Sequence, residues 1–389
     1  MKIASTVILS GLAAILFTAC YSVKPYYGKE DRNRERQPET FESQIEHTVF
    51  FIGDAGDDTS NSKPVLTMLR AQLDRAGENS TIVFLGDNIY PAGMPDKASS
   101  LRKPAEARMN AQLNILKKYK GRCVVIPGNH DWNRGGKFGL EGVIREENYV
   151  ESYLNKGNTF LPDKGCPGPV EVNLGNNLVL IVIDTQWWLH KWEKPQGAES
   201  YCSAKDANDF IAQLEGAIQK NRGKQIIVAA HHPIYTNGNH GGSFSLKEHL
   251  FPLTGFNKIL WIPLPVIGSI YPLYRKYICA SQDLGSRKYQ LLKKQLTAVF
   301  ERNAPVIYAA GHDHNLQYIN RNGGHYVISG SGSKVNYAAK GHKASFVYSH
   351  KGFMRIDRLQ NGELWLSAWA MDGKPMNEGR MVYNKLLKK

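Results

Sequence analysis

The sequence predicts an α/β fold in which two mixed β-sheets are flanked by α-helices. In the first third of the chain, apolar strand-like runs alternate with helical patterns, which is the βαβαβ order of layered α/β proteins. More strand-like runs occur towards the other end of the chain, which favours two packed sheets over one. The hydrophobic share of 42% is ordinary for a chain that buries a core.

The first half of the predicted fold consists of three strands and two helices. Apolar runs predict strands at Thr48–Ile52, Thr81–Leu85 and Cys123–Ile126. Apolar residues at helical spacing predict helices over Lys63–Ala76 and Pro104–Tyr119. In such sheets, binding sites form in the loops at the carboxyl ends of the strands.

The second half repeats these elements and ends in a hairpin. Strands are predicted at Pro169–Leu174, Leu178–Ile183, Gln225–Ala230, Pro305–Ala310 and His325–Ser329. Helices are predicted at Asp206–Asn221 and Arg287–Arg302. The runs Gly352–Leu359 and Leu364–Ala370 flank Gln360-Asn361-Gly362, which is typical of a β-hairpin turn.

The N-terminal residues predict export. The apolar run Ile8–Thr18 is too short for a comfortable membrane span. Residues 1–19 resemble a lipoprotein-type bacterial signal peptide, which would leave Cys20 as the lipidated first residue of a membrane-anchored protein in the periplasm or at the cell surface. The alternative is an ordinary secretory signal with Cys20 incidental. The polar residues 20–46 predict a flexible tether, and residues 47–389 a single domain.

The chain is strongly basic, with a formal net charge of +14. This charge favours anionic partners such as phosphate esters, nucleic acid or an acidic membrane surface. The basic residues are dispersed, and no nucleic-acid-binding motif accompanies them. We therefore expect an anionic partner, such as a phosphate ester or an acidic membrane surface, and no nucleic-acid partner.

The cysteines predict one disulfide. Export makes disulfides possible, and Cys166 and Cys202 both lie in predicted loops. Cys123 lies in an apolar strand and is expected to be a small buried hydrophobe. No pair of cysteines has zinc-finger spacing.

Residues 250–280 form an unusual apolar insert. No charged residue occurs from Ile259 to Tyr274, and prolines at 263, 265 and 272 rule out a regular membrane-spanning helix. Three interpretations remain open for the insert: a lid over the active site, a contact with the membrane surface, or a segment packed against its own domain.

Five predicted strands end in loops that carry metal-ligand side chains. These are Asp54, then Asp87 with Tyr90, then Asn129 with His130, then His231, and finally His312 with His314. On an extended backbone His312 and His314 would point to the same side, and a turn could also bring them to one centre. Oxygen and imidazole ligands without thiolates are typical of two divalent or trivalent metal ions roughly 3.5–4 Å apart.

The chain resembles the calcineurin-like metallophosphoesterases, and within them the purple acid phosphatases of the small, tartrate-resistant type. The matching segments are Gly53-Asp54-Ala55-Gly56, Gly86-Asp87-Asn88-Ile89-Tyr90, Gly128-Asn129-His130-Asp131, Val228-Ala229-Ala230-His231 and Gly311-His312-Asp313-His314. This resemblance implies the metallophosphoesterase sandwich as the fold and a metal-dependent phosphatase as the function.

The resemblance also implies the metals. The wider superfamily has a histidine two residues after the first aspartate, where this chain has Gly56, and Tyr90 takes its place as in purple acid phosphatases. A tyrosine ligand implies Fe(III) paired with Fe(II), Zn(II) or Mn(II). The implied ferric ligands are Asp54, Asp87, Tyr90 and His314. The implied ligands of the second metal are Asp87, Asn129, His231 and His312, with Asp87 bridging.

Two further histidines are implied as catalytic residues. By resemblance, His130 and His240 hold the phosphate and protonate the leaving oxygen, while a metal-bound hydroxide attacks phosphorus. The alternatives are that His130 only orients a neighbouring ligand and that His240 is a flexible loop residue without a catalytic role. Phosphate monoesters are the expected substrates. A phosphodiesterase or nucleotide hydrolase is the nearest alternative, and a non-catalytic binding lipoprotein is a remote one.

Overall fold

The structure is a computed structural model that describes residues 24–32, 37, 41–175, 177–255, 257, 259–372 and 379–388. The predicted signal peptide and Cys20 lie outside these residues. Within the described ranges, no helix combines the length and the apolar character that a bilayer span requires.

The described residues contain fourteen strands and eight α-helices. The strands are β1 (Tyr26–Tyr27), β2 (Ile45–Ile52), β3 (Ser80–Phe84), β4 (Arg122–Val125), β5 (Val170–Gly175), β6 (Leu178–Val182), β7 (Gln225–Ala229), β8 (Ile307–Ala310), β9 (Leu316–Arg321), β10 (Gly324–Ser329), β11 (Ala344–Tyr348), β12 (Gly352–Leu359), β13 (Leu364–Ala370) and β14 (Arg380–Lys388). The helices are α1 (Thr59–Ala76), α2 (Arg102–Leu113), α3 (Gly139–Leu154), α4 (Thr185–Leu189), α5 (Ala207–Lys220), α6 (Leu246–Leu250), α7 (Ile270–Leu273) and α8 (Arg287–Arg302).

The strands form two mixed sheets, as predicted. One sheet has the order β1-β11-β9-β10-β8-β7-β6-β5, and the other has the order β14-β13-β12-β2-β3-β4. Neighbouring strands β2, β3 and β4 are parallel, and so are β6, β7, β8 and β10. The carboxyl ends of the parallel strands in each sheet therefore share one edge.

Alternating side chains connect the layers. Val49 and Phe51 of β2 belong to an apolar cluster that includes Leu180 and Ile227 of the other sheet. Phe50 and Ile52 belong to a different cluster, which contains the apolar faces of the helices. Because successive side chains of a strand point to opposite faces, this alternation places one core between the sheets and another beneath the helices.

The sequence missed several elements. Strands β9, β11 and β14 were not predicted, and the helix predicted to end at Tyr119 ends at Leu113 with a 3₁₀ turn after it. Strand β9 carries the polar residue Gln317 at a fully buried position, so its sequence lacks the apolar pattern that predicts a core strand. Hydrogen bonds to Asn237 and Asn315 satisfy the Gln317 side chain.

The predicted tether is partly folded onto the domain. β1 pairs antiparallel with β11, and the Gly28 amide donates to the Ser345 carbonyl. The buried Asp31 carboxylate accepts from Tyr383 Oη at 2.8 Å and pairs with Lys385 at 2.5 Å. Residues 24–32 therefore differ from the flexible tether that their polar sequence predicted, because backbone pairing and a buried ion pair fix them.

The predicted disulfide between Cys166 and Cys202 is confirmed, and the prediction that Cys123 is buried is confirmed as well. The disulfide links the segment before β5 to the segment before α5 across 36 residues.

Replacing both Cys166 and Cys202 with serine should lower the free energy of unfolding by about 2–4 kcal/mol, because the bridge restricts the unfolded chain. Denaturant titration of the variant and the oxidised parent measures the change. Cys279→Ser, which removes a free thiol, is the control. Equal stability of all three proteins would contradict this role for the disulfide.

Candidate metal centre

The candidate ligands lie at the carboxyl ends of parallel strands in both sheets. Asp54 follows β2, Asp87 follows β3 and Asn129 follows β4. His231 follows β7 and His312 follows β8. The two sheets meet at this edge, so five loops that are far apart in sequence converge on one buried region.

Three of these residues have a left-handed backbone conformation. The φ angles are +59° at Asp54, +54° at Asp87 and +67° at His312. Such conformations cost non-glycine residues about 1–3 kcal/mol each and cluster at functional sites. Side-chain bonds hold two of them, because Asp54 Oδ2 accepts from the His312 amide and Asp87 Oδ1 from the His130 amide, both at 2.8 Å.

One group of donors gathers around the Tyr90 hydroxyl. Tyr90 Oη lies 3.0 Å from Asp54 Oδ1, 3.1 Å from Asp87 Oδ2 and 3.1 Å from His314 Nε2. His314 Nε2 is also 3.4 Å from Asp54 Oδ1. These are the four residues predicted for the ferric site.

The second group gathers around His231. His231 Nε2 lies 3.1 Å from Asn129 Oδ1, 3.2 Å from His312 Nδ1 and 3.4 Å from Asp87 Oδ1. Asp87 therefore faces both groups, one through each carboxylate oxygen. His312 and His314 face different groups and do not converge on one centre, because the left-handed turn at His312 separates their side chains. The structure brings all seven predicted ligands together, and their role as metal ligands stays a prediction.

Burial shapes the charges of the cluster. Burial raises the pKa of Asp54 to about 8. The charge of His231 acts to lower this pKa, and the charge of Asp87 acts to raise it. Burial also acts to raise the pKa of Asp87, but the charges of His231 and His130 outweigh it, and this pKa falls below its ordinary value. Burial lowers the pKa of His314 to about 4, so this imidazole is neutral at pH 7. The cluster thus holds the neutral imidazole of His314 beside two carboxylates that cannot easily both be charged.

The histidine hydrogen bonds fit a bound cation. His231 Nδ1 donates to the Leu85 carbonyl at 2.7 Å, and His312 Nε2 donates to the Gln282 carbonyl at 3.0 Å. A carbonyl oxygen can only accept, so the other ring nitrogen of each histidine has a free lone pair. That nitrogen faces the cluster in both cases, which is the arrangement of metal-bound histidines. Asp54, Asp87 and His231 also have donor atoms within 4.8 Å of one another.

The two predicted catalytic histidines border the cluster. His130 Nδ1 donates to the Pro91 carbonyl at 2.6 Å, and its Nε2 lies 3.8 Å from Asp87 Oδ2. The His240 ring lies 3.8 Å from the His312 ring, centre to centre. Both side chains are partly exposed, with 22% and 20% of their surface accessible. They can therefore meet a substrate from solvent, although their catalytic role stays a prediction.

Sequence reasoning missed the residues that hold His240. Asp283 Oδ1 lies 3.0 Å from His240 Nδ1, and Arg275 pairs with the same carboxylate. Burial acts to raise the pKa of Asp283, but hydrogen bonds from His240 and Arg275 leave it below its ordinary value. Arg275 belongs to the apolar insert, where the few charged residues gave no signal of a site.

Lys334 was also missed. Its ammonium lies 3.3 Å from the centre of the Tyr90 ring and 3.9 Å from Asp57 Oδ1. Burial lowers its pKa. The glycine-rich run at residues 330–333 after β10 was the available signal, because such loops end at the same edge of the sheet as the other ligand loops.

His232 and Asp131 support the site without joining it. His232 shares a compact trio with His231 and His312, but its ring nitrogens bond to Thr185 Oγ1 and Gln282 Oε1, both at 2.8 Å. Asp131 accepts hydrogen bonds from three backbone amides in two of the ligand loops, those of residues 88, 89 and 128. Leaving both out of the catalytic set agrees with these contacts.

Close packing around Gly56 explains why this chain has no histidine two residues after Asp54. A Cβ atom at Gly56 would lie 2.1 Å from the Asn88 carbonyl carbon, which leaves no room for a side chain. The Gly56 amide donates to the Asp87 carbonyl at 3.1 Å, and its carbonyl accepts from the Tyr90 amide at 2.9 Å. The close approach fixes the loop that positions both Asp87 and Tyr90.

The fold and this buried pair of donor groups define a metal-dependent hydrolase of phosphate esters. The family model for calcineurin-like phosphoesterases matches residues 47–330, and the chain belongs to this family. The predicted class of fold and the predicted class of enzyme are thereby confirmed.

Similar proteins refine this assignment. The chain is 20% identical to purple acid phosphatase 3 of Arabidopsis thaliana over 89% of this chain and 81% of that protein. It is 22% identical to purple acid phosphatase 4 of the same plant, over 79% and 76%. The predicted resemblance to purple acid phosphatases is confirmed, and the dinuclear metal site typical of the family agrees with the buried donors.

Two solved structures share the fold. GAP50, described as the anchor in the inner membrane complex of Plasmodium, has a TM-score of 0.53 at 18% identity and covers 89% of this chain and 90% of its own. The purple acid phosphatase PPD1 from yellow lupin has a TM-score of 0.50 at 13% identity, with 87% of this chain and 53% of its own covered.

Gly56→Ala should displace the loop of Asp87 and Tyr90, because backbone atoms of Asn88 would have to move. We expect a metal content well below that of the parent, measured by elemental analysis of the purified protein. Gly216→Ala is the control, since Gly216 lies in α5 with open space around it and alanine favours helices. Full metal content in Gly56→Ala would contradict the proposed packing.

Proposed function

We propose that this protein is an exported phosphatase that hydrolyses phosphate monoesters with the aid of two metal ions. The observation that carries the proposal is the Tyr90 hydroxyl, 3.0–3.1 Å from Asp54, Asp87 and His314, beside a second donor group around His231 that shares Asp87. A buried tyrosine in this place favours a ferric ion in the first group, with Fe(II), Zn(II) or Mn(II) in the second.

When bound, two cations would neutralise phosphate oxygens and activate water for in-line attack at phosphorus. The chain supplies their ligands and keeps the ligands rigid. The first group is Asp54, Asp87, Tyr90 and His314, and the second is Asp87, Asn129, His231 and His312. The left-handed backbone conformations at Asp54, Asp87 and His312 fix these positions before any substrate binds.

The partly exposed histidines would act on the ester. Because His130 Nδ1 already donates to the Pro91 carbonyl, its Nε2 is the nitrogen that faces the bridging Asp87. The Asp283 carboxylate accepts from His240 Nδ1 and so orients the His240 ring, whose role would be to give a proton to the leaving oxygen. Lys334 adds positive charge beside Tyr90, which suits the dianion of a monoester.

We also propose that residues 1–19 are removed on export and that Cys20 carries the lipid. The apolar run before Cys20 and the Cys166–Cys202 disulfide support this, since structural disulfides persist mainly in oxidising compartments. The protein would then act at a membrane, facing the periplasm or the cell exterior.

Hydrolysis of an aryl phosphate monoester and of the matching diester, measured from pH 4 to 8, tests the proposed reaction. We expect the monoester to be the better substrate and Asp87→Ala to reduce turnover to background, because it removes the shared ligand. Asp96→Ala is the matched control and should keep full activity, because the Asp96 carboxylate is exposed and accepts a local hydrogen bond from the Ala98 amide. A dominant diester activity would favour a phosphodiesterase. No turnover and no bound metal would favour a binding protein.

His240→Ala should lower turnover about 10²–10⁴-fold, the range for losing a general acid. His249→Ala, nine positions away and bonded to Ser269, should leave turnover unchanged. The comparison is made at equal metal content, so that a lost ligand is not mistaken for a lost proton donor. Equal rates in both variants would exclude His240 as the acid.

A further inference from the structure

The apolar insert exposes a large hydrophobic surface. We call this the insert surface and define it by six side chains that are 56–85% exposed: Ile259, Trp261, Val266, Ile270, Tyr277 and Ile278. The interpretation that the insert packs against its own domain does not hold for these residues. Single exposed apolar residues are normal on a soluble protein, but six of them within the one segment from Ile259 to Ile278 indicate an interaction site.

The charged residues of the insert are all basic. No acidic residue occurs between Glu248 and Asp283, whereas Lys258 and Lys276 lie inside this stretch together with Arg275, which pairs with Asp283. The Lys247 ammonium lies 4.3 Å from the centre of the Trp261 ring. Aliphatic, tryptophan and tyrosine side chains beside lysine and arginine are the composition of segments that lie in a membrane interface.

We propose that the insert surface binds the surface of an anionic lipid bilayer. Its basic residues match acidic headgroups, and its exposed aliphatic and aromatic side chains can enter the boundary between headgroups and acyl chains. A second copy of this chain is a poorer partner, because two such surfaces would bring like charges together. The backbone here is broken into short helices, including α6 and α7, so it offers no long groove or strand edge to a peptide.

The segment that leads into β11 lies beside the insert. A cavity of about 640 Å³ is lined by Pro272 and Lys276 of the insert and by His342 and Lys343. Lys343 leads into β11, which pairs with β1 at Tyr26–Tyr27.

A short segment separates the proposed anchor from the fold. Cys20 precedes Tyr26 by six residues, which span at most about 21 Å when extended. A lipid on Cys20 would therefore hold β1, and with it the domain that carries the insert, close to the bilayer. This step alone rests on the proposed lipidation, and the exposed insert surface stands without it.

Docking of the insert would orient the metal centre towards the membrane. The segment that ends the insert reaches the site directly, since Arg275 pairs with Asp283 beside His240 and the Gln282 carbonyl accepts from His312. Phosphate esters at or near the bilayer surface would then be presented to the site.

Vesicle co-sedimentation tests the proposal with the full chain carrying Cys20→Ser, so that no lipid can be attached. Vesicles of phosphatidylethanolamine with phosphatidylglycerol are compared with vesicles of phosphatidylcholine alone. The double variant Trp261→Ser/Ile270→Ser should bind the anionic vesicles at least about tenfold more weakly, since each lost side chain removes buried apolar area. Binding should be weaker to the neutral vesicles and weaker at high salt.

Trp192→Ser/Leu101→Ser is the matched control, because Trp192 is as exposed as Trp261 and both control residues lie outside the insert. It should bind like the parent. Quenching of tryptophan fluorescence by brominated lipid should be lost in Trp261→Phe and kept in Trp192→Phe, which tests lipid contact even if the N-terminal residues also bind vesicles.

Two results would overturn the proposal. One is equal vesicle binding and equal quenching in the insert and control variants. The other is that no variant binds vesicles, while sedimentation velocity shows a dimer for the parent and none for the insert variant. That result would assign the insert surface to contact with a second copy. Hydrolysis of a soluble aryl phosphate should be the same in all these variants, so failure of the proposed phosphatase activity remains distinguishable from failure of lipid binding.

Discussion

The structure depends on two carboxylates, those of Asp54 and Asp87, that are buried beside each other. Asp54 and Asp87 both contact the Tyr90 hydroxyl in a region closed to solvent, and burial raises the pKa of Asp54 to about 8. An uncompensated buried charge costs several kcal/mol. Bound metal cations remove that cost, so folding and metal binding are expected to be coupled.

The fold meets this constraint by joining the ends of two sheets. The six-stranded sheet supplies the carboxylates and the amide of Asn129, and the eight-stranded sheet supplies His231 and His312. Side chains then lock the loops together, as when Asp54 accepts from the amide of His312 across the sheets. The insert adds to this framework through Arg275, which pairs with Asp283 beside His240. The candidate metal ligands, the proposed proton donor and Arg275 of the insert thus belong to one connected set of side chains.

Much of the architecture and all seven candidate ligands could be predicted from the sequence, because each ligand lies in a loop after an apolar strand, in a motif known from a family. The division of His312 and His314 between two groups could be predicted only from the family resemblance, since it depends on a left-handed turn rather than on spacing. Arg275, Asp283 and Lys334 were missed because their positions arise from tertiary packing. Strand β9 was missed because its buried Gln317 obscures the apolar period.

The central claim is that the buried cluster holds two metals, with ferric iron at Tyr90. Elemental analysis combined with visible absorption tests it most directly, on the parent and on Tyr90→Phe. We expect two metal ions per chain, at least one of them iron, and a visible tyrosinate-to-iron charge-transfer band that disappears in Tyr90→Phe. One metal ion or none per chain, or a visible band that survives in Tyr90→Phe, would contradict the account.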